Sequence, residues 1–256
     1  MTMGRWFLLT SVAKWSYSRV ECFKKCPYQF KLRYIDKLKT LPDQEADNAL
    51  YLGTALHTGM EEDIPTAIKS YYDNYYVISN AHVNEAVKLE CVLEKGKPLI
   101  PEGENEVPLN SSDYIGFIDR LVKVDENTYD MYDYKYSNNV ERYLESGQLS
   151  VYKHKFEQLN PSKNIRKLYF VFFPKTKIRQ KKTETIAQFR ARIKETLSKE
   201  SVEPVEVPFS PEKVEEYEST IMEIGRTKKF ERNVTRLCDW CEYKDYCLNG
   251  QDWMIL

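Results

Sequence analysis

YIGFIDRLVKVDENTYDMYDYKYS, residues Tyr114–Ser137, reads as a β-hairpin. Its first strand, Tyr114–Val124, is rich in Ile, Phe, Leu and Val with polar residues interleaved. Its second, Thr128–Tyr136, alternates Tyr and Met with Asp and Lys. Asp125-Glu126-Asn127 between them is a polar turn, and Asn127 suits the left-handed position that closes a three-residue loop. A turn centred on Glu126 sets Asp119 opposite Asp133, with Cβ atoms about 4.5–5.5 Å apart. Lys135 then shares a face with Asp133. Opposed carboxylates destabilise a ladder unless something offsets the repulsion. A hard divalent cation does so, and Mg²⁺ is commonly held by one or two carboxylates plus a substrate phosphate. On the hairpin alone, a solvated strand face or a carboxylate–lysine ion pair explains the pattern equally well.

Outward from the hairpin, the chain alternates helical and extended signals. Ser18-Arg19-Val20-Glu21 has capping-box spacing, which predicts a helix start at Ser18 and a restart at Pro27. The helix then runs through Tyr28–Lys37. A second helix is expected over Ala46–Glu62, burying Ala49, Leu52 and Leu56, with His57 close to that face. Two more fill Pro65–Lys95, broken near Ser79-Asn80, and the stripe Tyr71, Tyr72, Tyr75, Tyr76 reads as packing. Cys91 there reads as buried or incidental. Glu106-Val107-Pro108-Leu109 is a short strand that Pro108 assigns to a sheet edge or bulge. Glu141–Leu159 reads as one helix, with Gln148 and Tyr152 on one face. Arg166–Phe173 is apolar on both faces and therefore a central strand. The basic run Lys175–Lys182 is either a phosphate contact or a solvated loop. Helices follow over Thr185–Ser198 and Pro211–Lys228.

The chain has 256 residues, 30% charged and 42% apolar, with a net charge of −1 and a pI near 6.4. These values suit a globular protein, and any footprint for nucleic acid must be local. The apolar run Trp6–Leu9 is too short for a signal peptide or a membrane span. A cytoplasmic location, with no membrane contact and reduced thiols, is the expectation. Six cysteines in that setting point to metal binding or burial more than to disulfides. Cys238 and Cys241 form a Cys-x2-Cys pair and Cys247 adds a third thiol. A closed four-thiolate site needs one more, and Cys26 is the candidate, with Cys22 one helical turn away. Spacing alone leaves zinc and 4Fe–4S both open.

The hairpin and its surroundings resemble a known family. Gly116-Phe117-Ile118-Asp119-Arg120 followed by Asp133-Tyr134-Lys135 is similar to the GxxDR…DYK core of the PD-(D/E)XK nucleases, in their RecB-like branch. Ser16-Tyr17-Ser18, Phe23, Cys26-Pro27 and Phe30 resemble the opening of its iron–sulfur exonucleases, including the CRISPR-associated ones. Gly53…His57 matches a GxxxH element, Glu106 a glutamate preceding GxxDR, and Gln148…Tyr152 a QxxxY element. The ordered set spans about Ser16 to Cys247.

The resemblance implies a mixed α/β (α+β) fold. Its restriction-endonuclease-like core is a central mixed β-sheet flanked by helices, with an iron–sulfur-stapled helical subregion. It implies one RecB-like nuclease domain over 1–256. The helical N-terminal part covers 16–95, the catalytic sheet core 104–175 and the C-terminal cysteine cluster 235–250. It also implies Mg²⁺ or Mn²⁺ on His57, Asp119, Asp133 and the Tyr134 carbonyl, with Lys135 as the catalytic cation. A 4Fe–4S cluster is implied on Cys26, Cys238, Cys241 and Cys247. Glu106, Arg120, Gln148 and Tyr152 become secondary or DNA-contacting residues. The expected activity is metal-dependent exonucleolytic hydrolysis of single-stranded DNA or DNA ends. Recombination, repair, phage DNA metabolism and CRISPR adaptation are its settings, with an integrase or recombination protein as partner. The alternative is a catalytically silent module that binds DNA or protein around a structural cluster.

Overall fold

The computed structural model describes residues 14–250; the run Trp6–Leu9 lies outside them. Helix α1 (Tyr17–Lys25) is capped by Ser16, whose Oγ accepts the Arg19 N–H at 3.2 Å. The cap is therefore Ser16 and not the expected Ser18. Pro27 does open a new helix, α2 (Pro27–Phe30), which passes into a π-helical turn over Lys31–Ile35. Three helices follow: α3 (Ala49–Glu61), α4 (Ile64–Tyr72) and α5 (Asn80–Gly96). Asn48 caps α3 through the Leu50 and Tyr51 amides, so the helix starts three residues later than its apolar pattern implied and Ala49 is exposed.

Strands β1 (Glu104–Asn110), β2 (Ile115–Lys123) and β3 (Thr128–Tyr136) come next. The expected single helix over Glu141–Leu159 is two, α6 (Val140–Leu144) and α7 (Gln148–Leu159), separated around Gly147. The last elements are β4 (Asn164–Phe173), α8 (Ile186–Ser198), β5 (Pro204–Val207), α9 (Pro211–Arg226) and α10 (Lys244–Asn249).

The five strands form one mixed sheet in the order β1-β2-β3-β4-β5. β2 and β3 are antiparallel, β3 and β4 parallel, β4 and β5 antiparallel. Parallel strands need a crossover, which α6 and α7 supply. Pro108 sits on the edge strand, where a missing donor costs no ladder bond. The hairpin register pairs Arg120 with Tyr132 and Leu121 with Met131, the register that sets Asp119 against Asp133. Its turn closes differently from the expectation. Among the described non-glycine residues only Lys37 and Glu106 have left-handed backbone, so Asn127 does not. The Asn127 N–H instead bonds Asp125 Oδ1 at 3.1 Å, the local side-chain device that lets Asp replace a strained turn residue.

The described chain divides into two compact units built from interleaved segments. One comprises residues up to Asp43, Leu109–Gly116 and the chain from Ser210; the other comprises Gln44–Pro108 and Phe117–Phe209. The second holds the main core, in which Leu52, Leu56, Met60, Leu89 and Leu93 pack with Tyr71, Tyr134, Val171 and Phe173. Tyr71 and Tyr75 are buried there, so that part of the tyrosine stripe is core, whereas Tyr76 is exposed. In the first unit, Phe23, Phe30 and Phe230 form an aromatic cluster. Arg33 pairs with Glu242, and the Tyr243 hydroxyl donates to the Leu38 carbonyl at 2.8 Å. No helix among the described residues is long and apolar enough to cross a membrane.

Candidate active site at the β2–β3 hairpin

Three elements of the larger unit bring a compact group of oxygen and nitrogen ligands together. α3 supplies His57, the edge strand β1 supplies Glu106, and β2 supplies Asp119. One ligand atom from each lies within 4.8 Å of the others, the only such group of three or more among the described residues. His57 Nδ1 is 3.4 Å from Asp119 Oδ1 and 3.9 Å from Glu106 Oε1.

Each side chain is held by backbone hydrogen bonding or register. The ladder brings Tyr134 against Asp119, whose Oδ2 accepts the Tyr134 N–H at 2.6 Å. That contact leaves Oδ1 for the imidazole. The other ring nitrogen, His57 Nε2, donates to the Tyr134 carbonyl at 3.2 Å. The carbonyl expected among the metal ligands thus orients the histidine here, and Nδ1 is turned to the carboxylates. Glu106 has φ +48°, a left-handed backbone that costs a non-glycine residue roughly 1–2 kcal/mol. The strand must bend at that residue.

Asp133 and Lys135 stand beside this group on β3. Asp133 is almost wholly buried. Its Oδ1 accepts Gln148 Nε2 at 2.8 Å. Its Oδ2 pairs with the Lys135 ammonium at 2.5 Å. Gln148 reaches Asp133 because the break at Gly147 makes it the first residue of α7. Tyr152, one turn further, is raised well above its ordinary pKa, first by burial and then by Asp133.

The electrostatics record an excess of acid. Burial disfavours protonation of the His57 ring, but Asp119, Glu106 and Asp133 outweigh it and raise its pKa to about 10. Burial pushes the Asp133 carboxyl up to about 6 against the pull of Lys135, and Asp119 adds to the rise. Burial also opposes the charge on Lys135, which Asp133 and Asp119 overcome, raising its pKa. The carboxylates that raise the pKa of the histidine are those that converge on it. Two carboxylates and an imidazole converging at this range are a fitting donor set for a hard divalent ion.

Two sequence assignments change weight. Glu106 ranked as a secondary candidate beside Glu104, yet it faces His57; its strand placement was legible, its backbone bend was not. Arg120 was expected as a secondary or DNA-contacting residue. The structure buries it, and its guanidinium donates to the Met60 carbonyl at 3.0 Å and the Pro101 carbonyl at 3.1 Å. It ties the end of α3 and the connector to β2.

The six cysteines are all free thiols. Cys26, Cys238, Cys241 and Cys247 line one cavity of the smaller unit, but no three of them gather within 4.8 Å as the His57 group does. They are therefore not drawn around a single small ion. Cys22 is outside that lining; burial raises its thiol to about 11.

A sequence model of the PD-(D/E)XK nuclease superfamily matches residues 14–71 and 81–248. The chain belongs to the PD-(D/E)XK nuclease superfamily. That match contains every residue of the hairpin site. No curated protein matches the chain. Among solved structures, a candidate exonuclease from Eubacterium rectale superposes with a TM-score of 0.54 over 95% of this chain and 93% of that one. At 10% identity that likeness concerns the fold alone. As a member of this superfamily the chain is a nuclease, and its substrate class is nucleic acid.

Proposed function

We propose that the protein is a metal-dependent DNA exonuclease acting on single strands or DNA ends. The observation that carries this reading is the convergence of His57, Glu106 and Asp119 beside the Asp133–Lys135 pair. His57 Nδ1, Glu106 and Asp119 would hold Mg²⁺ or Mn²⁺, with the Asp133–Lys135 ion pair beside them on β3. When bound there, the ion polarises a phosphodiester oxygen and lowers the pKa of an attacking water. The chain's own residues do the rest. The Tyr134 N–H fixes the rotamer of Asp119, and the Tyr134 carbonyl fixes the ring of His57. Gln148 holds Asp133, which in turn holds the Lys135 ammonium. A positioned cation opposes the negative charge that builds on phosphoryl oxygens as the bond breaks. Arg120 serves as scaffold, and Tyr152 supports Gln148.

We further propose a structural 4Fe–4S cluster on Cys26, Cys238, Cys241 and Cys247. Support comes from their shared cavity and from amide donors aimed at sulfur. The Gln29 and Asn233 N–H groups each approach Cys26 Sγ at 3.5 Å, and the Thr235 N–H approaches Cys238 Sγ at 3.5 Å. Hydrogen bonds of this kind tune cluster sulfurs. Anaerobically purified protein should carry about four irons per chain and absorb in the visible; a colourless, zinc-loaded protein would assign the thiols to zinc.

The activity test uses end-labelled single-stranded DNA with wild type and Lys135→Ala, in Mn²⁺ and then in EDTA. Only wild type with metal should shorten the label. Equal cleavage by both proteins would overturn the site, and binding without cleavage by both would favour the silent module.

A further inference from the structure

The segment between β4 and α8 is the densest basic stretch of the chain. Lys175, Lys177, Arg179, Lys181 and Lys182 fall within eight residues, and no acidic residue lies between Pro174 and Thr183. Against a net charge of −1 for the whole chain, this is a strong local asymmetry. It forms neither helix nor strand, yet it is tied down at three points.

At its root, Asn138 clamps Lys175 from both sides. Asn138 Oδ1 accepts the Lys175 N–H and Asn138 Nδ2 donates to the Lys175 carbonyl, each at 2.7 Å. Asn138 lies two residues beyond the end of β3, and the Ser137 N–H between them bonds the Phe173 carbonyl at 3.1 Å. In its middle, Ile178 packs against the main core. At its end, Arg192 donates to the Arg179 carbonyl and pairs with Glu184, each at 2.8 Å. Gln180 reaches the Glu184 carbonyl at 2.7 Å. The nearest carboxylate is thereby occupied by Arg192. Lys177, Arg179, Lys181 and Lys182 are exposed, and among the described residues no carboxylate is in ion-pair contact with Lys177, Arg179 or Lys182.

The ladder relates this segment to the active site. β3 and β4 are parallel, with Lys135 opposite Phe172 and Tyr136 opposite Phe173. The basic segment therefore leaves the sheet at the end where Asp133 and Lys135 sit, one residue beyond the level of Tyr136. Backbone anchoring with free cationic tips lowers the ordering entropy of binding. A run of positive charge along an extended segment fits a phosphodiester backbone, whose phosphates it can neutralise in succession.

We propose that residues 175–182 form a pre-ordered arm that tracks the phosphates of the DNA strand being fed to the hairpin site, with Asn138 as its positioning residue. This rests on the nuclease reading above and adds to it the surface that holds the substrate beyond the scissile bond.

The test measures binding of a labelled single-stranded oligonucleotide in EDTA across a salt series. Neutralising about four phosphate contacts should make log Kd against log salt shallower by about 3 in K177Q/R179Q/K181Q/K182Q, at roughly 0.7 per contact on single strands. Affinity at low salt should fall at least tenfold. The charge-keeping variant K177R/R179K/K181R/K182R should bind as wild type, and thermal melting confirms that both fold. Asn138→Ala, which keeps every charge but frees the root, should bind more weakly than wild type. If wild type binds tightly and the glutamine variant matches its slope and affinity, the arm is wrong and the nuclease reading stands. If the charge-keeping variant also loses affinity, phosphate tracking is wrong. If wild type neither binds nor cuts DNA in Mn²⁺, both readings fall together.

Discussion

Arg120→Met separates scaffold from substrate contact at a residue beside the candidate metal group. The change keeps the aliphatic stem and removes the guanidinium. Its bond to the Met60 carbonyl is buried, and its bond to the Pro101 carbonyl is partly so. A hydrogen bond from a charged donor contributes about 1.5–3 kcal/mol, and an orphaned buried carbonyl costs a similar amount. Allowing water to recover part of the Pro101 contact, the loss comes to about 3 kcal/mol. Equilibrium urea unfolding reads it as a lower midpoint with unchanged slope. Oligonucleotide binding in EDTA, well below the melting temperature, should stay within a few-fold of wild type. A variant as stable as wild type that binds DNA tenfold more weakly would refute the scaffold role and restore the contact the sequence suggested.

Three further outcomes are expected. Mn²⁺ at a hundredfold excess over its Kd should stabilise the wild type by about 2.7 kcal/mol through binding the folded state alone; Asp119→Asn and EDTA should each abolish that, and a melting temperature indifferent to Mn²⁺ would count against the site. Burial lifts the Cys22 thiol from 9.0 to about 11, so the folded state keeps a proton that the unfolded chain releases. That contribution is full below pH about 9 and lost as pH rises towards 11; Cys22→Ala should flatten this stretch of the stability profile, and a parallel decline in both proteins would contradict it. Gly103→Ala would place a Cβ 2.4 Å from the Leu121 carbonyl oxygen, a backbone atom that cannot rotate away, at a cost of about 1–3 kcal/mol; calorimetry showing no change would refute it.

The hairpin register was legible because alternation and one turn fix every pairing at once: a slip by a single residue would have turned Asp119 away from Asp133. His57 was legible through a motif, since a lone histidine near a buried helix face has no distinguishing period. What escaped depends on non-local partners. β5 has only four residues, starts with a proline and finds its place through β4. The split of α6 from α7 did have a signal, Ser146-Gly147, which the helical pattern on either side obscured. Ser16 won the helix cap over Ser18 although Glu21 follows Ser18 at capping-box spacing. The burial of Arg120 was not legible because it depends on the connector and helix end above it, both distant in sequence.

Under the proposed metal site, the left-handed backbone at Glu106 sets stability and ligation against each other at one codon. Glycine would relax that conformation, and asparagine would tolerate it better than glutamate. Either would strip a carboxylate from the group around His57. A population of variants screened only for heat resistance should therefore collect glycine or asparagine at 106 early, and the survivors should be the first lineage to lose cleavage.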